Sequence, residues 1–244
     1  MPLPPSLVLR TARVTELKQL TPELFVLACS LTSGEDFSYQ AGQWVYLHLL
    51  NDQGESIARG AFSLASSPSE LKKELVFGIK IYGRLTASLA ELAVGDQIGV
   101  QGPFGVFTLP KEPCPLLFVA GGIGITPLRS LIRQALDASW TQPMALIWVS
   151  KTEPELIYHQ EFIEWAKQSE GKFIYLPSLT QEEGSAWTGM RGRLNALMLE
   201  ALELPWQSVH AYLCGPNPFM EDAKRLLQER GVSGKPRLHE ERFT

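Results

Sequence analysis

Three glycines, Gly121, Gly122 and Gly124, followed by Thr126 and Pro127, are the residues whose types and spacing point most directly to chemistry. They interrupt the segment CPLLFVAGGIGITPLRSLI, residues 114–132. Glycines at the mouth of a helix leave backbone N–H groups uncovered where the helix dipole favours an anion such as a pyrophosphate. A strand that only folds back sharply onto a helix needs the same residues, so this loop alone leaves both readings open. It also departs from the G-x-G-x-x-G fingerprint, because Thr126-Pro127 stands where the third glycine would come and no acidic residue follows at the usual offset.

The elements that must hold this loop are legible on either side of it. Residues 116–120 are continuously apolar, as in a strand buried on both faces, and Leu128, Leu131, Ile132 and Leu136 recur behind it at helical spacing. Thr126 is the expected N-cap, with Pro127 in the first turn, where no amide bond is lost.

Length and composition narrow the class. The 244 residues suit two domains, and 45% hydrophobic with 20% charged residues is the balance of a soluble globular protein. A formal net charge of -4 speaks against nucleic acid or an anionic membrane as main partner. No apolar run approaches the roughly 20 residues of a spanning helix, and the opening Met-Pro-Leu-Pro-Pro lacks the order of a signal peptide, so the expected location is the cytoplasm. Cys29, Cys114 and Cys214 lie far apart and form no C-x-x-C pair, and His48, His159, His210 and His239 are equally scattered. The expectation is no metal site and no disulfide framework, which leaves redox chemistry to a bound organic cofactor.

The chain has two rhythms. Up to about residue 110 short alternating strands such as RVTELKQL, LFVLACSL, QWVYLHLL and LVFGIKIY are divided by turns at Ser33-Gly34, Asp52-Gln53-Gly54 and Gly95-Asp96, which predicts an antiparallel barrel or sandwich with one short helix near residues 86–93. Past Pro115, strands LLFVA, MALIWVS, KFIYLPSL and HAYLCG alternate with helical patterns at residues 127–138, 156–168, 194–202 and 218–230, which predicts parallel β/α construction. Residues 111–115 form the expected hinge. Ligands of open α/β sheets gather beyond the carboxyl ends of the strands. The glycine loop, Ser150-Lys151 and Cys214-Gly215-Pro216 all stand at such ends.

Taken in order, RGAFSLASSP, GRLTASLAEL, GDQIGVQGPFGVF, VAGGIGITPL, YLCGPNPFM and HEERF make the chain resemble the ferredoxin-NADP(H) reductase family over nearly its whole length. The resemblance implies an N-terminal antiparallel β-barrel of Greek-key type that binds FAD, residues 1–110, and a C-terminal α/β domain with a parallel sheet that binds NAD(P), residues 111–244. It implies a flavoprotein that takes hydride from NAD(P)H onto flavin N5 and passes electrons to a separate carrier such as ferredoxin, flavodoxin or an oxygenase component. A free flavin reductase and an electron-transfer subunit of a fixed complex are the alternatives.

Residue by residue, the family's R-x-Y/F-S strand maps onto Arg59, Ala61, Phe62 and Ser63, with Phe62 along the flavin and Ser63 near N5. Gly60 holds the family arginine's place, so Arg59 meets the FAD phosphates only across a bulge. Read without the family, Phe62 and Ser63 are an ordinary inward-outward strand pair. Gly83, Arg84, Leu85 and Thr86 match the flavin-phosphate turn, Arg84 adding charge beside it. Gly121, Gly122, Gly124, Thr126 and Pro127 match the loop that takes the NAD(P)H pyrophosphate, with Ser150 and Lys151 at the adenosine ribose. Cys214, Gly215 and Pro216 match the C-G-P at the nicotinamide, although a cysteine ending a buried strand also serves as a small apolar filler. Glu241 and Phe243 resemble the family's E-x-aromatic ending, with Thr244 beyond it, the carboxylate aiding proton movement and the ring covering the flavin. Ser63, Cys214 and Glu241 are thus the expected catalytic residues.

Overall fold

The computed structural model describes residues 5–32, 37–70, 74–181 and 186–243. The Ser33-Gly34 turn and Thr244 lie outside the described residues. The described chain forms two compact units, one within residues 1–109 and 129–134, the other within residues 110–128 and 135–244.

The first unit is a six-stranded antiparallel sheet of β1 (Leu9–Thr21), β2 (Leu24–Leu31), β3 (Trp44–Leu50), β4 (Ser56–Ser63), β5 (Glu74–Lys80) and β6 (Gln97–Phe104), with α1 (Arg84–Ala90) between the last two. The spatial order is β4-β3-β6-β1-β2-β5, so three connections, β2 to β3, β4 to β5 and β5 to β6, join strands that are not neighbours in this order, in Greek-key fashion. Alternation places Val45 and Leu47 fully inside while Trp44 and Tyr46 stay half-exposed. Val45, Leu47, Phe25, Leu27, Phe77, Ile79, Val100 and Leu89 of α1 share one apolar core. The two edges of the sheet meet just beyond β4, where the Ala65 N–H donates to Val76 O at 2.8 Å and the Val76 N–H donates to Ser66 Oγ at 3.1 Å. These two bonds tie the chain after one edge strand to the other edge strand, β5.

The second unit is a parallel sheet of β7 (Leu116–Gly121), β8 (Met144–Ser150), β9 (Phe173–Leu179), β10 (Met190–Arg191), β11 (His210–Cys214) and β12 (Leu238–Glu241), ordered β10-β9-β8-β7-β11-β12. The helices are α2 (Ile125–Asp137), α3 (His159–Gln168), α4 (Ala196–Glu200) and α5 (Asn217–Glu229). Every residue of β7 and β8 is buried, as expected of central strands covered on both faces. On one face Leu117, Val119, Ile147, Ala211 and Leu213 pack with Met220, Ala223 and Leu227 of α5. On the other, Trp148 meets Phe162 of α3 edge to face at 5.9 Å.

The strand order reverses between β7 and β11. From β7 the chain builds outward through β8 and β9, then returns to place β11 on the opposite side. Such a switch point opens a crevice at the carboxyl ends of the two strands. Among the described residues no helix is long and apolar enough to cross a membrane.

Candidate functional site

In the second unit the switch point brings together two loops that are 90 residues apart in sequence. Gly124 lies so close to the end of β11 that a Cβ there would overlap the Cys214 carbonyl, and Gly121 and Gly215 both rest on the Phe219 ring, with added Cβ atoms 2.8 Å from it. Glycine is required at these positions by close backbone approach. Gly122 differs: its φ is +54° and nothing stands within 4 Å of where its Cβ would be. The left-handed turn thus opens a space in front of helix α2, lined by backbone and without an acidic residue in the first turn.

The helix begins earlier than the sequence implied. Gly122–Gly124 form a 3-10 turn that runs directly into α2 at Ile125. Thr126 therefore lies inside the first turn, and its hydroxyl donates to Ile123 O at 2.9 Å rather than capping a free N–H. Pro127 is the third helical residue. Trp148, assigned no role from sequence, donates its indole N–H to Gly122 O at 2.9 Å and fixes the loop from beneath. Phe219 was equally unassigned, although it lies within the GPNPFM segment.

At the end of β8 the Ser150 hydroxyl and the Lys151 N–H both donate to the Glu155 carboxylate, each at 3.1 Å. Ser150 is buried and Lys151 exposed. On the other flank, β12 pairs with β11 so that Cys214 stands opposite Glu241 and Tyr212 opposite His239. Burial first, and the Glu241 charge second, push the Cys214 thiol well above its ordinary value. Phe243 follows β12 and is 42% exposed.

In the first unit, β3 and β4 keep an unbroken register from Trp44↔Ser63 to Leu49↔Ala58, and the irregularity comes only afterwards, where Leu50 pairs with Ser56. The extra residue is Ile57, upstream of Arg59, so no bulge separates Arg59 from Phe62. Arg59 consequently lies on the face opposite Phe62. Its guanidinium sits 4.6 Å from the Tyr46 ring centroid and donates to Gln101 Oε1 at 3.3 Å. Phe62 is half-buried against the core, Ala61 is exposed, and Ser63 is 6% exposed. Gly60 packs toward the turn that opens α1: a Cβ there would lie 2.6 Å from Leu85 and 3.1 Å from Phe62. Gly83 precedes α1 with nothing within 4 Å of its missing Cβ, and the Thr86 hydroxyl accepts from the Tyr82 N–H at 2.8 Å and donates to Gly83 O at 3.2 Å. The geometry therefore brings Phe62 and Leu85 to one side of β4 and leaves Arg59, together with Ala61 and Ser63, facing the other, so the expected pair of Phe62 and Ser63 is not on one face.

The residues present fit anionic ligands in both units. An open glycine stands at each turn, Arg84 is exposed beside the first, and neither helix carries an acidic residue in its first turn. Among the described residues no group of three or more His, Cys, Asp or Glu could hold a metal ion.

Comparison with known proteins agrees with this division. The pattern of an oxidoreductase FAD-binding domain matches residues 11–109, and that of an oxidoreductase NAD-binding domain matches residues 118–225. The chain is 32% identical over 235 residues to ferredoxin-NADP reductase B of Sorangium cellulosum, covering 93% of this chain and 94% of that protein. It is also 32% identical over 213 residues to the glycine betaine monooxygenase reductase subunit of Pseudomonas aeruginosa, covering 85% of this chain but only 57% of that subunit. The chain thus spans little more than half the length of that relative. Among solved structures, a ferredoxin NADP+ reductase from Neisseria gonorrhoeae with bound FAD and NADP superposes with a TM-score of 0.81 at 21% identity, over 96% of this chain and 98% of that one.

Fold and matches together define an oxidoreductase flavoprotein with one FAD-binding and one NAD(P)-binding domain. The chain belongs to the ferredoxin-NADP reductase family.

Proposed function

We propose that this chain takes reducing equivalents from NAD(P)H and delivers them to a separate electron-acceptor protein, a ferredoxin, a flavodoxin or an oxygenase component, in the cytoplasm. The observation that carries the reading is the seating of Gly124 on the Cys214 carbonyl at the switch point, because it joins a nucleotide loop to a C-G-P segment in one crevice. The oxygenase reductase relatives support an acceptor on another chain. Domain limits of residues 1–110 and 111–244 belong to the same proposal.

Bound FAD supplies a centre that accepts two electrons together and releases them singly. The protein's part is orientation and exclusion of water. Gly83, Leu85 and Thr86 would hold the flavin phosphates, with Phe62 beside the ring system and Ser63 near the reacting nitrogen. Gly121, Gly122 and Gly124, ahead of Thr126 and Pro127, receive the coenzyme pyrophosphate, and the turn at Ser150 and Lys151 receives the adenosine ribose. Cys214, Gly215 and Pro216 seat the nicotinamide. Glu241 holds or moves a proton beside it.

The test is NADH- and NADPH-dependent reduction of purified ferredoxin, flavodoxin and an oxygenase component by the purified chain. Turnover with one of these carriers is expected. Rapid loss of FAD on gel filtration, with turnover only when free flavin is added, would replace this reading by a flavin reductase.

A further inference from the structure

We infer that Arg84, not Arg59, supplies the cation for the FAD pyrophosphate, and that this chain has moved that charge from strand β4 to helix α1. The inference rests on the FAD-binding reading of the first unit.

Three observations carry it. Arg59 is held away from the flavin-phosphate turn: it shares a face with its cross-strand partner His48 and with Tyr46, lies over the Tyr46 ring at 4.6 Å, and donates to Gln101. An unbroken register between Arg59 and Ser63 leaves no bulge to turn it round. The position that does face the turn is Gly60, and there the space a side chain would need is filled: a Cβ at this position would stand 2.6 Å from Leu85 and 3.1 Å from the Phe62 ring. An arginine at position 60 would have to displace Leu85. The segment that fills this space carries its own guanidinium one residue earlier, on Arg84, which is exposed at the first position of α1 and adjoins the open space at Gly83. A guanidinium binds a phosphate through two parallel donors wherever it approaches from, so the exchange preserves the chemistry while changing the element that delivers it.

The experiment is equilibrium titration of the purified full chain with FAD and, in parallel, with riboflavin, which lacks both phosphates. Arg84→Ala is expected to weaken FAD about tenfold or more, the scale of one lost charge-assisted contact. It should leave riboflavin affinity within about twofold, and Arg84→Lys should recover part of the loss. Arg59→Ala should leave FAD affinity within about twofold, as for an exposed cation remote from the ligand. Unchanged melting curves for both variants would confirm that the fold is intact. Loss of FAD affinity in Arg59→Ala equal to that in Arg84→Ala, or none in Arg84→Ala, would overturn the inference while leaving the flavin site standing. Wild-type protein that takes up neither flavin would overturn the FAD reading itself.

Discussion

Cys214 and Glu241 are register partners at the carboxyl ends of neighbouring parallel strands, 27 residues apart in sequence and side by side in the sheet. The thiol is fully buried, and burial together with the Glu241 charge raises its pKa well above the ordinary value. A raised thiol pKa keeps the proton on, so Cys214 is uncharged at neutral pH and serves as a small buried group at the end of β11 rather than as a nucleophile. Cys29 is pushed up to about 12, whereas Cys114 is only half-buried. Brief alkylation of the folded protein at mildly alkaline pH, read by mass spectrometry, should therefore modify Cys114 first and leave Cys214 unreacted until denaturant is added. Rapid labelling of Cys214 in the folded protein would contradict this assignment.

Ser63 and Glu241 are proposed to act on the reacting atoms, so their removal should cost rate more than binding. Ser63→Ala and Glu241→Gln are each expected to slow hydride transfer by about tenfold or more, with NADH affinity little changed. Stopped-flow reduction across a series of NADH concentrations separates the two effects. Traces that match wild type would remove both residues from the mechanism.

We expect coenzyme choice to turn on Glu155. Its carboxylate already accepts from Ser150 Oγ and the Lys151 N–H, so a 2′-phosphate arriving at the end of β8 meets a like charge on donors already in use. The remaining attraction is that of exposed Lys151, about 0.2 to 1 kcal/mol by the measure of surface ion pairs. We expect NADH to be preferred by less than about tenfold in kcat/KM. Glu155→Gln should shift the ratio toward NADPH and Lys151→Ala away from it, each by a few-fold at low ionic strength. A preference for NADPH above about a hundredfold would place the ribose elsewhere.

Gly124→Ala tests the switch point. The added methyl would overlap the Cys214 carbonyl, which is backbone on both sides and cannot rotate aside. An overpacking cost of about 1 to 3 kcal/mol is expected, with weaker NAD(P)H binding and unaltered FAD content. Thermal melting and nucleotide titration measure the two. Wild-type values for both would mean the loops are not held by this contact.

Much of this was legible in the sequence where periodicity alone decides. The continuous apolar run at residues 116–120 marked β7 as a strand buried on both faces, and alternation in QWVYLHLL marked β3 as a strand of the antiparallel half. The glycine loop and the C-G-P segment were found from residue types, because close approach of backbones admits few alternatives. What was hidden depended on pairing. β10 is two residues long, and β12 reads Leu-His-Glu-Glu, a polar stretch that becomes a strand only because β11 offers it partners. The face taken by Arg59 hung on which side of it the extra residue falls, and nothing local in the sequence marks Ile57. Thr126 looked like a cap because the 3-10 turn of Gly122–Gly124 has no side-chain pattern of its own. Grouping of residues 129–134 with the first unit lay equally beyond periodicity.

The most direct test of the central claim is the visible absorption spectrum of the purified protein before and after anaerobic NADH. The account predicts a yellow protein that releases FAD on denaturation, and whose flavin band bleaches on addition of stoichiometric NADH and returns with an electron acceptor. A colourless protein that takes up no added FAD, or a flavin band unchanged by both NADH and NADPH, would contradict it.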